Sequence, residues 1–466
     1  MVDKSAIAAF RETFTGSVYL SGDAGYENSR NVWNADINRY PAVVASCGST
    51  DEVAAAIAFG RRQGLEISVR GGGHNFAGLA VAEGGLMIHL EKINSVRVDP
   101  ASKRAWIGGG AALGDLDAAC SEHGLAVTAG IVTHTGVGGL TLGGGVGFLL
   151  RRFGLACDNL LEAEVVLADG SVVRANRENH ADLFWALRGG GGNFGIVTEF
   201  VFQLHEIGDT ANVGMFFFPP ERGVEAMQLF RELRDRLPDD MAIIAFGMRA
   251  PDAPFVPDEF RHTHGYFIQL ATVGPAAELA AAAAIVREAS PAFELVTPMR
   301  YVELQSMNDA FNPWGVHGYE KAVYLPAISD DAIDVMQKYL TGTRGAFSYF
   351  GAMTLGGQYA RVADEDAAWA GPRDAGYHFI MTGTCETAEE LVHDRQWVKE
   401  FWSDMQPHGM GSGSYINNMN EYDENRVRAA YGAEKYERLS RIKAVYDPEN
   451  VFHHNQNIKP AATAPA

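Results

Sequence analysis

Residues 65–81 read LEISVRGGGHNFAGLAV, and this stretch decides the fold of the first half of the 466-residue chain. A short apolar strand ends at Arg70 and runs into three glycines, Gly71 to Gly73, which His74 follows directly. Glycine accepts positive φ values and lets a ligand approach the backbone, and successive N–H groups of a turn can hold an anion. The stretch therefore predicts a phosphate-binding turn with a histidine immediately behind it.

Glycine is enriched in the chain as a whole, with 52 residues where about 33 would be average. The excess gathers at 71–73, 108–110, 136–147 and 189–195. Two of these clusters, 71–73 and the segment HTGVGGLTLGGGVGF, are suited to a long ligand with a diphosphate in its middle. The simpler alternative, that the glycines only make tight turns and bulges, stays open for each cluster taken alone.

The cluster at 189–195 contains a G-x-G-x-x-G pattern at Gly190, Gly192 and Gly195. A dinucleotide-binding Rossmann turn requires a strand before this pattern and a helix after it. Here a helical segment, ADLFWALR, precedes the glycines and a strand, IVTEFVF, follows them. The order is reversed, which argues against a Rossmann site, and the sequence contains no P-loop motif.

Composition excludes several classes of protein. The net charge of −20 argues against broad contact with nucleic acid. The sequence contains no run of 18 apolar residues, so no membrane span is expected. The start MVDKSAIAAFRETFTG lacks the features of a signal peptide. A cytoplasmic location is therefore expected. The four cysteines are far apart and form no CxxC pair, which predicts reduced, buried thiols and no metal site.

The pattern of predicted elements indicates an α+β fold. Residues 37–207 alternate short strands and helices, including a helix that starts at Thr50 or Asp51 as N-cap and a hairpin that turns at Asp169-Gly170. Residues 209–412 predict an antiparallel sheet with helices on one face, two of them capped by Ser329 and Thr387. The predicted domains are 1–208, 209–412, and a C-terminal segment, 413–466, that returns to the first.

Five segments together carry a resemblance to a known family: SVRGGGHNFAGLA, THTGVGGLTLGGGVGF, RRFGLACDNLLEAEVVLADGSVV, DLFWALRGGGGNFGIVTEF and YDPENVFHHNQNI. They resemble vanillyl-alcohol-oxidase-type proteins with a PCMH-type FAD-binding domain, specifically the berberine-bridge-enzyme-like and 6-hydroxynicotine-oxidase-like FAD-linked oxidases. The resemblance is strong over 37–207 and 415–458 and generic over 209–412. It implies a two-part FAD-binding domain interrupted by a substrate-binding domain.

The resemblance implies that His74 carries the flavin through its 8α-methyl carbon. Many relatives have a second link from a cysteine four residues before the GVGG motif, where this chain has Val132. Cys157 lies well downstream and is expected to be a structural thiol. We therefore expect FAD with a single 8α-histidyl bond.

The remaining FAD contacts follow from the same motifs. The family pattern implies that the pyrophosphate is wrapped by Arg70, Gly71, Gly72, Gly73, Asn75 and Gly78. It implies that the isoalloxazine and adenosine path is lined by Gly138, Gly139, Gly143, Gly144 and Asn159. Gly195 and Val197 are expected under the adenine or ribose, and Asn455 and Asn457 near the flavin ring.

The substrate side is less defined. Asn418 matches a position where relatives place a Tyr, His or Asn toward the substrate, and an asparagine cannot act as a base at neutral pH. Tyr319 and Tyr415 are candidate phenols, and strand alternation puts Tyr319 and Lys321 on one face. Gln358 and His378 are further candidates from the same sheet. Such residues are also common in plain packing roles.

The function that the resemblance implies is an FAD-dependent oxidase. The substrate's hydride goes to flavin N5 and then to dioxygen, which gives hydrogen peroxide. His134 and Thr135 pass the oxygen-reactive side of the flavin in relatives, and the modest size of Thr135 favours an oxidase. A secondary-metabolite precursor, an N-heterocycle and a sugar all remain possible substrates.

Three alternatives stay open. They are a dehydrogenase with a non-oxygen acceptor, a non-catalytic flavin-binding protein and a carbohydrate-binding protein without flavin. A small-molecule substrate and dioxygen are the expected partners, with no nucleic acid or membrane partner. The oligomeric state is not predicted.

Overall fold

The structure is a computed structural model that describes residues 3–411 and 414–462. Strands from the first 206 residues form three small sheets. A four-stranded sheet has the order β1-β2-β4-β3, from β1 Ser17–Tyr19, β2 Val43–Ser46, β3 Ile67–Arg70 and β4 Leu86–His89. A five-stranded sheet has the order β5-β6-β10-β8-β9, from β5 Val96–Asp99, β6 Arg104–Gly108, β8 Leu160–Val166, β9 Val172–Asn176 and β10 Ile196–Gln203. Strands β7 Leu125–Ala126 and β11 His205–Glu206 pair separately.

Helices in this first part are short apart from α3. They are α1 Lys4–Thr13, α2 Tyr26–Arg30, α3 Thr50–Gln63, α4 Leu113–Ser121, α5 Val137–Gly143, α6 Leu150–Phe153 and α7 Ala181–Leu187. Both predicted N-cap residues of α3, Thr50 and Asp51, are wrong: the Ser49 side chain accepts the N–H of Glu52, so Thr50 and Asp51 already lie in the helix. Gly64 ends α3 at φ +62°, as its predicted role as C-cap requires.

A seven-stranded sheet follows, and all of its pairings are antiparallel. Its order is β15-β12-β14-β13-β17-β18-β16. The strands are β12 Thr210–Phe218, β13 Ala242–Arg249, β14 His264–Thr272, β15 Phe293–Arg300, β16 His317–Leu325, β17 Tyr349–Thr354 and β18 Tyr377–Cys385. The intervening helices are α8 Gly223–Arg236, α9 Ala276–Glu288, α10 Tyr301–Ser306, α11 Asp330–Tyr339, α12 Gln358–Arg361 and α13 Ala388–Met405.

One face of this sheet is covered by helices. Helices α8, α9, α11 and α13 pack on it around a core that includes Phe230, Met336 and Phe401. Ser329 and Thr387 cap α11 and α13 through their side-chain oxygens, as predicted. The opposite face is free of these four helices and turns toward the first part of the chain. The predicted α+β class, with an antiparallel sheet covered on one face, is confirmed.

The C-terminal segment packs back on the first part. Helix α14 Glu424–Tyr446, kinked at Gly432, lies against α7. The buried Lys443 ammonium bonds the Asp447 carboxylate at 2.6 Å and the Phe452 carbonyl at 2.9 Å, and also reaches the carbonyl of Asn193. A buried ion pair with further hydrogen bonds fixes geometry. This lysine therefore holds the tail against the glycine cluster at 189–195.

The predicted domain division remains a prediction, although the sheets change between Glu206 and Thr210. The second boundary, 412/413, lies outside the described residues. In the described parts of the chain, no helix has both the length and the apolarity needed to cross a membrane. All four cysteines are unpaired and buried, as predicted.

Candidate active site

A cavity of about 400 Å³ opens where the seven-stranded sheet faces the glycine loops. The first part of the chain lines it with Gly71, Gly72, Gly73, His74, Gly136, Gly138, Gly139, Gly191 and Gly192. The sheet contributes Ile244, Phe246, Glu320, Tyr349, Gly351, Met353, His378 and Ile380. The C-terminal segment adds Tyr415, Asn418, Asn455 and Gln456. Three regions that are distant in sequence therefore share one cavity.

The two predicted glycine loops meet backbone to backbone. A Cβ atom on Gly72 would lie 2.2 Å from the backbone nitrogen of Gly136, and one on Gly136 would lie 2.3 Å from the nitrogen of Gly72. Real side chains never approach backbone so closely, so glycine is required at both positions for packing. Gly73 has φ +73°, a conformation that also favours glycine.

Other glycines in the lining are not required by the packing of the fold. A Cβ atom on Gly139 or on Gly192 would meet nothing within 4 Å, so both backbones border open space. Neither residue has a positive φ that would require glycine. Bare backbone facing an open cavity from two separate loops fits an extended ligand that lies against main-chain atoms.

His74 is paired with a second histidine. Its Nε2 atom lies 2.7 Å from Nδ1 of His134, and its ring stacks on Trp33 at a centroid distance of 5.4 Å. Burial, with the nearby His134 and Arg70, lowers the pKa of His74 to about 3. Burial also lowers the pKa of His134. Both rings are therefore neutral at pH 7, and the side-chain hydrogen bond between them uses Nε2 of His74.

A cluster of polar groups occupies the sheet side of the cavity. The Asn418 amide donates to Oε1 of Glu320 at 2.7 Å. Burial raises the pKa of Glu320 to about 7, and hydrogen bonds from Asn418 and Thr382 oppose the shift. Among the described residues, Oδ1 of Asn418 and Nε2 of His378 are buried without a hydrogen-bond partner. Burial lowers the pKa of His378 to about 4, so this imidazole is neutral at pH 7.

Buried polar atoms without partners are expensive, so native proteins keep few of them. Two such atoms beside a carboxyl whose pKa lies near neutrality indicate a place for a polar ligand group. Sequence reasoning had missed Glu320. A charged residue inside HGYEKAVYL, a strand with only its first residue partly exposed, was the available signal.

The structure brings most of the predicted FAD residues to the cavity. Gly71, Gly72, Gly73, His74, Asn75, Val132, Thr135, Gly138, Gly139, Gly195, Val197 and Asn455 line it. Of the predicted substrate residues, Asn418, His378 and Tyr415 line it. The phenol of Tyr415 accepts the N–H of Gly145 at 2.9 Å and the amide of Asn417 at 2.7 Å, and burial raises its pKa, so it is a structural hydroxyl.

Six other predicted FAD residues lie outside the cavity lining. Arg70 donates to the carbonyl of Ser29, and Gly78 packs on Ile37 at φ +69°. Asn159 bonds backbone carbonyls and His205. The backbones of Gly143 and Gly144 pack on Asn417 and Trp369, and Asn457 also lies outside the lining.

Two predicted substrate residues are not at the cavity. Tyr319 lies on the helix side of the sheet, in the core beside α13, and Lys321 on the same side bonds Glu421 at 3.4 Å. Strand alternation does put these two on one face, but that face is the one turned away from the cavity. Gln358 begins helix α12 and is outside the lining.

Bare glycine backbone, a neutral histidine and a buried carboxyl in one cavity fit the class of proteins that hold a cofactor beside a small substrate. Comparison with known proteins gives the particular family. Residues 41–176 match the FAD binding domain family, and residues 414–459 match the family described as berberine and berberine like.

Relatives match along the full chain. The (R)-6-hydroxynicotine oxidase of Paenarthrobacter nicotinovorans is 30% identical over 459 residues, which is 96% of this chain and 97% of the relative. An FAD-linked oxidoreductase of Dictyostelium discoideum is 28% identical over 97% of this chain and 96% of its own. The chain therefore belongs to the berberine-bridge-enzyme-like family of FAD-linked oxidoreductases, as the sequence motifs predicted.

Solved structures share the fold. Physcomitrella patens BBE-like 1 superposes with a TM-score of 0.87 at 22% identity, covering 98% of this chain and 100% of that one. A glucooligosaccharide oxidase from Acremonium strictum, described with a 6-S-cysteinyl, 8α-N1-histidyl FAD, gives 0.86 at 24% identity, covering 98% and 100%. These similarities establish the architecture of this chain.

Proposed function

We propose that this protein is an FAD-dependent oxidase in which the flavin is bound covalently to His74 alone and a small organic substrate is oxidised beside Glu320. The observation that carries the proposal is the cavity itself. Its glycine loops and His74 lie on one side, and the Glu320–Asn418–His378 cluster lies on the other. When bound, FAD accepts a hydride from the substrate and passes the electrons to dioxygen, which becomes hydrogen peroxide.

His74 is suited to hold the cofactor. A nitrogen that forms a covalent bond must carry a free electron pair, and a pKa of about 3 keeps this imidazole neutral at any physiological pH. Val132 lines the cavity where relatives with a second link carry cysteine, and it offers no nucleophile. Cys157 is fully buried, and burial raises the pKa of its thiol. These observations support a single covalent bond.

Glu320 is suited to take a proton from the substrate. A general base works best when its pKa lies near the working pH, because it is then both deprotonated and basic enough. The pKa of Glu320, raised to about 7 by burial, meets this condition. Asn418 donates to one carboxylate oxygen of Glu320, and the Glu320 side chain lines the cavity. The other two candidates are less suited to act as the base. The Tyr415 hydroxyl is engaged in structural hydrogen bonds, and Asn418 has no basic atom.

The test begins with purified protein. After acid precipitation, yellow colour should stay with the pellet, and mass mapping should place FAD on the peptide that contains His74 and on no other. Colour in the supernatant would contradict the covalent bond.

The second step tests the electron acceptor. The bound flavin is reduced chemically without oxygen, air is admitted, and reoxidation and hydrogen peroxide are followed together. Rapid reoxidation with one peroxide per flavin supports the oxidase. Flavin that stays reduced in air would replace the oxidase by a dehydrogenase with another acceptor.

A further inference from the structure

The register of the seven-stranded sheet arranges the cavity wall as rows across neighbouring strands. Glu320 pairs with Thr382, which pairs with Tyr349. The next row on the same face contains Ala322, Ile380, Gly351 and Phe246 in that order. The third row contains Tyr324, His378, Met353 and Ile244. One polar row therefore borders a row that is wholly apolar.

Gly351 lies in the middle of the apolar row, and nothing in the fold requires glycine there. Its φ is not positive, and a Cβ atom would lie 3.4 Å from the Phe246 ring and 3.6 Å from Ile380, which are ordinary contacts. On the adjacent strand, Gly247 is different, because a Cβ atom there would lie 2.1 Å from the Phe350 ring. The missing side chain of Gly351 leaves a recess between Phe246 and Ile380.

The groups around this recess set what could fill it. Phe246, Met353 and Ile380 are apolar, and all line the cavity. The polar groups of this wall lie on either side of the apolar row, with Glu320 in the first row, where Asn418 donates to it, and His378 in the third row. A sugar, with hydroxyl groups on most carbons, would bury several of them against apolar side chains, which is unfavourable for each hydroxyl left without a hydrogen-bond partner. A ring with one polar group would meet both surfaces.

We propose that Gly351 determines substrate specificity, because its missing side chain leaves an apolar recess that can hold a ring of the substrate. The substrate is then a hydrophobic, ring-containing alcohol, phenol or amine with a single hydrogen-bond donor, which faces Glu320, and not an oligosaccharide. This inference rests on the proposed function for the redox step. It adds the chemical class of the substrate and the residue that selects it.

The test uses the flavin-loaded enzyme in its oxidised state and measures binding by the change in flavin absorbance. The probes are 2-naphthol, which has fused rings and one hydroxyl, and cellobiose. The variants are Gly351→Ala and Gly351→Leu. Gly48→Ala is the matched control, because a Cβ atom there also meets only ordinary contacts, at 3.6 and 3.7 Å, and Gly48 is not part of the cavity lining.

We expect wild-type enzyme to bind 2-naphthol about tenfold or more tightly than cellobiose. Gly351→Leu should weaken 2-naphthol binding about tenfold or more, since it fills the recess, and Gly351→Ala should weaken it about threefold. Flavin content should match wild type in all variants, and Gly48→Ala should bind as wild type does.

Three results would overturn the inference: tighter binding of cellobiose, no binding of 2-naphthol at about 1 mM, or unchanged binding in Gly351→Leu. Failure of the proposed function is read separately, before any probe is added. It would appear as wild-type protein without bound flavin, or with reduced flavin that air does not reoxidise.

Discussion

The Nε2 atom of His74 and the Nδ1 atom of His134 are joined by a 2.7 Å hydrogen bond inside the cavity. One nitrogen of the pair donates and the other accepts, so each ring limits the tautomer and the rotation of the other. Since the bond uses Nε2 of His74, it leaves Nδ1 for the covalent bond to flavin that we propose. In that proposal, His134 is a positioning residue for the attachment.

We predict that His134→Ala lowers the fraction of covalently bound flavin. Loss of a partner leaves the buried His74 nitrogen unsatisfied, at a cost of about 1–3 kcal/mol, and frees its ring to rotate. The covalent fraction should fall by half or more, as measured by mass spectrometry of the His74 peptide, while total FAD after dialysis falls less. The control is His123→Ala, because His123 is exposed. Full attachment in His134→Ala would show that the pair is not needed.

Glu320→Gln should lower kcat about 10²- to 10⁴-fold, the range that a lost general base gives. Glutamine keeps the shape of the side chain and can still accept the amide of Asn418. Flavin content and thermal stability should therefore stay near wild type. The measurement is stopped-flow reduction of the flavin by substrate without oxygen. Glu421→Gln serves as control, since Glu421 contacts Lys321 on the other face of the sheet. Equal loss in both variants would argue against a role as base.

The same carboxyl predicts how activity depends on pH. Glu320 must be deprotonated to accept a proton, and burial raises its pKa to about 7. The rate of flavin reduction should rise as pH increases through about 7 and level off above it. In Glu320→Gln this rise should disappear. His378 stays neutral across the range, because burial holds its pKa at about 4.

The same carboxyl is expected to lower the stability of the folded protein as pH rises, whereas it raises the activity. The pKa of Glu320 is raised in the folded state, so the folded protein binds more protons than the unfolded chain between pH 4.5 and 7. This contribution to the free energy of unfolding is complete below pH 4.5 and is lost as pH rises through about 7. Thermal melting of wild type and Glu320→Gln at pH 5.5 and 8 should show a smaller decrease for the variant. An equal decrease in both would assign the pH dependence to other groups.

The sequence predicted the glycine loops and His74 in the cavity lining, but it missed Glu320 on the sheet side, and the reason is physical. Glycine loops and His74 act through local backbone geometry, so their meaning is contained in adjacent residues. Strand β16 is different, because all but its first residue is buried. A strand buried on both faces shows no alternation of apolar and polar residues, so the sequence could not say whether Tyr319 or Glu320 faces the cavity.

Val132→Cys should create a second covalent bond to the flavin. The position lines the cavity, and the family resemblance implies that a cysteine here carries the second link. Mass spectrometry of the flavin-bearing fragments should then show one FAD that joins two peptides, those containing residues 74 and 132. The control is Cys157→Ala, which removes a fully buried thiol and should leave attachment at His74 unchanged. A free thiol at position 132 beside bound flavin would contradict the assignment of this position.

Gly72→Ala should abolish flavin binding, because the added methyl group would lie 2.2 Å from the backbone nitrogen of Gly136. The clash is with main chain, which cannot rotate away as a side chain can, so the two glycine loops must separate. Gly139→Ala is the informative comparison, since a methyl group there meets no protein atom within 4 Å. It should leave the fold intact and weaken FAD binding only through the space that it takes from the cofactor. Circular dichroism and melting temperature give the state of the fold, and flavin absorbance gives the occupancy. Native stability in Gly72→Ala with normal flavin content would show that the close approach of the two loops is not required.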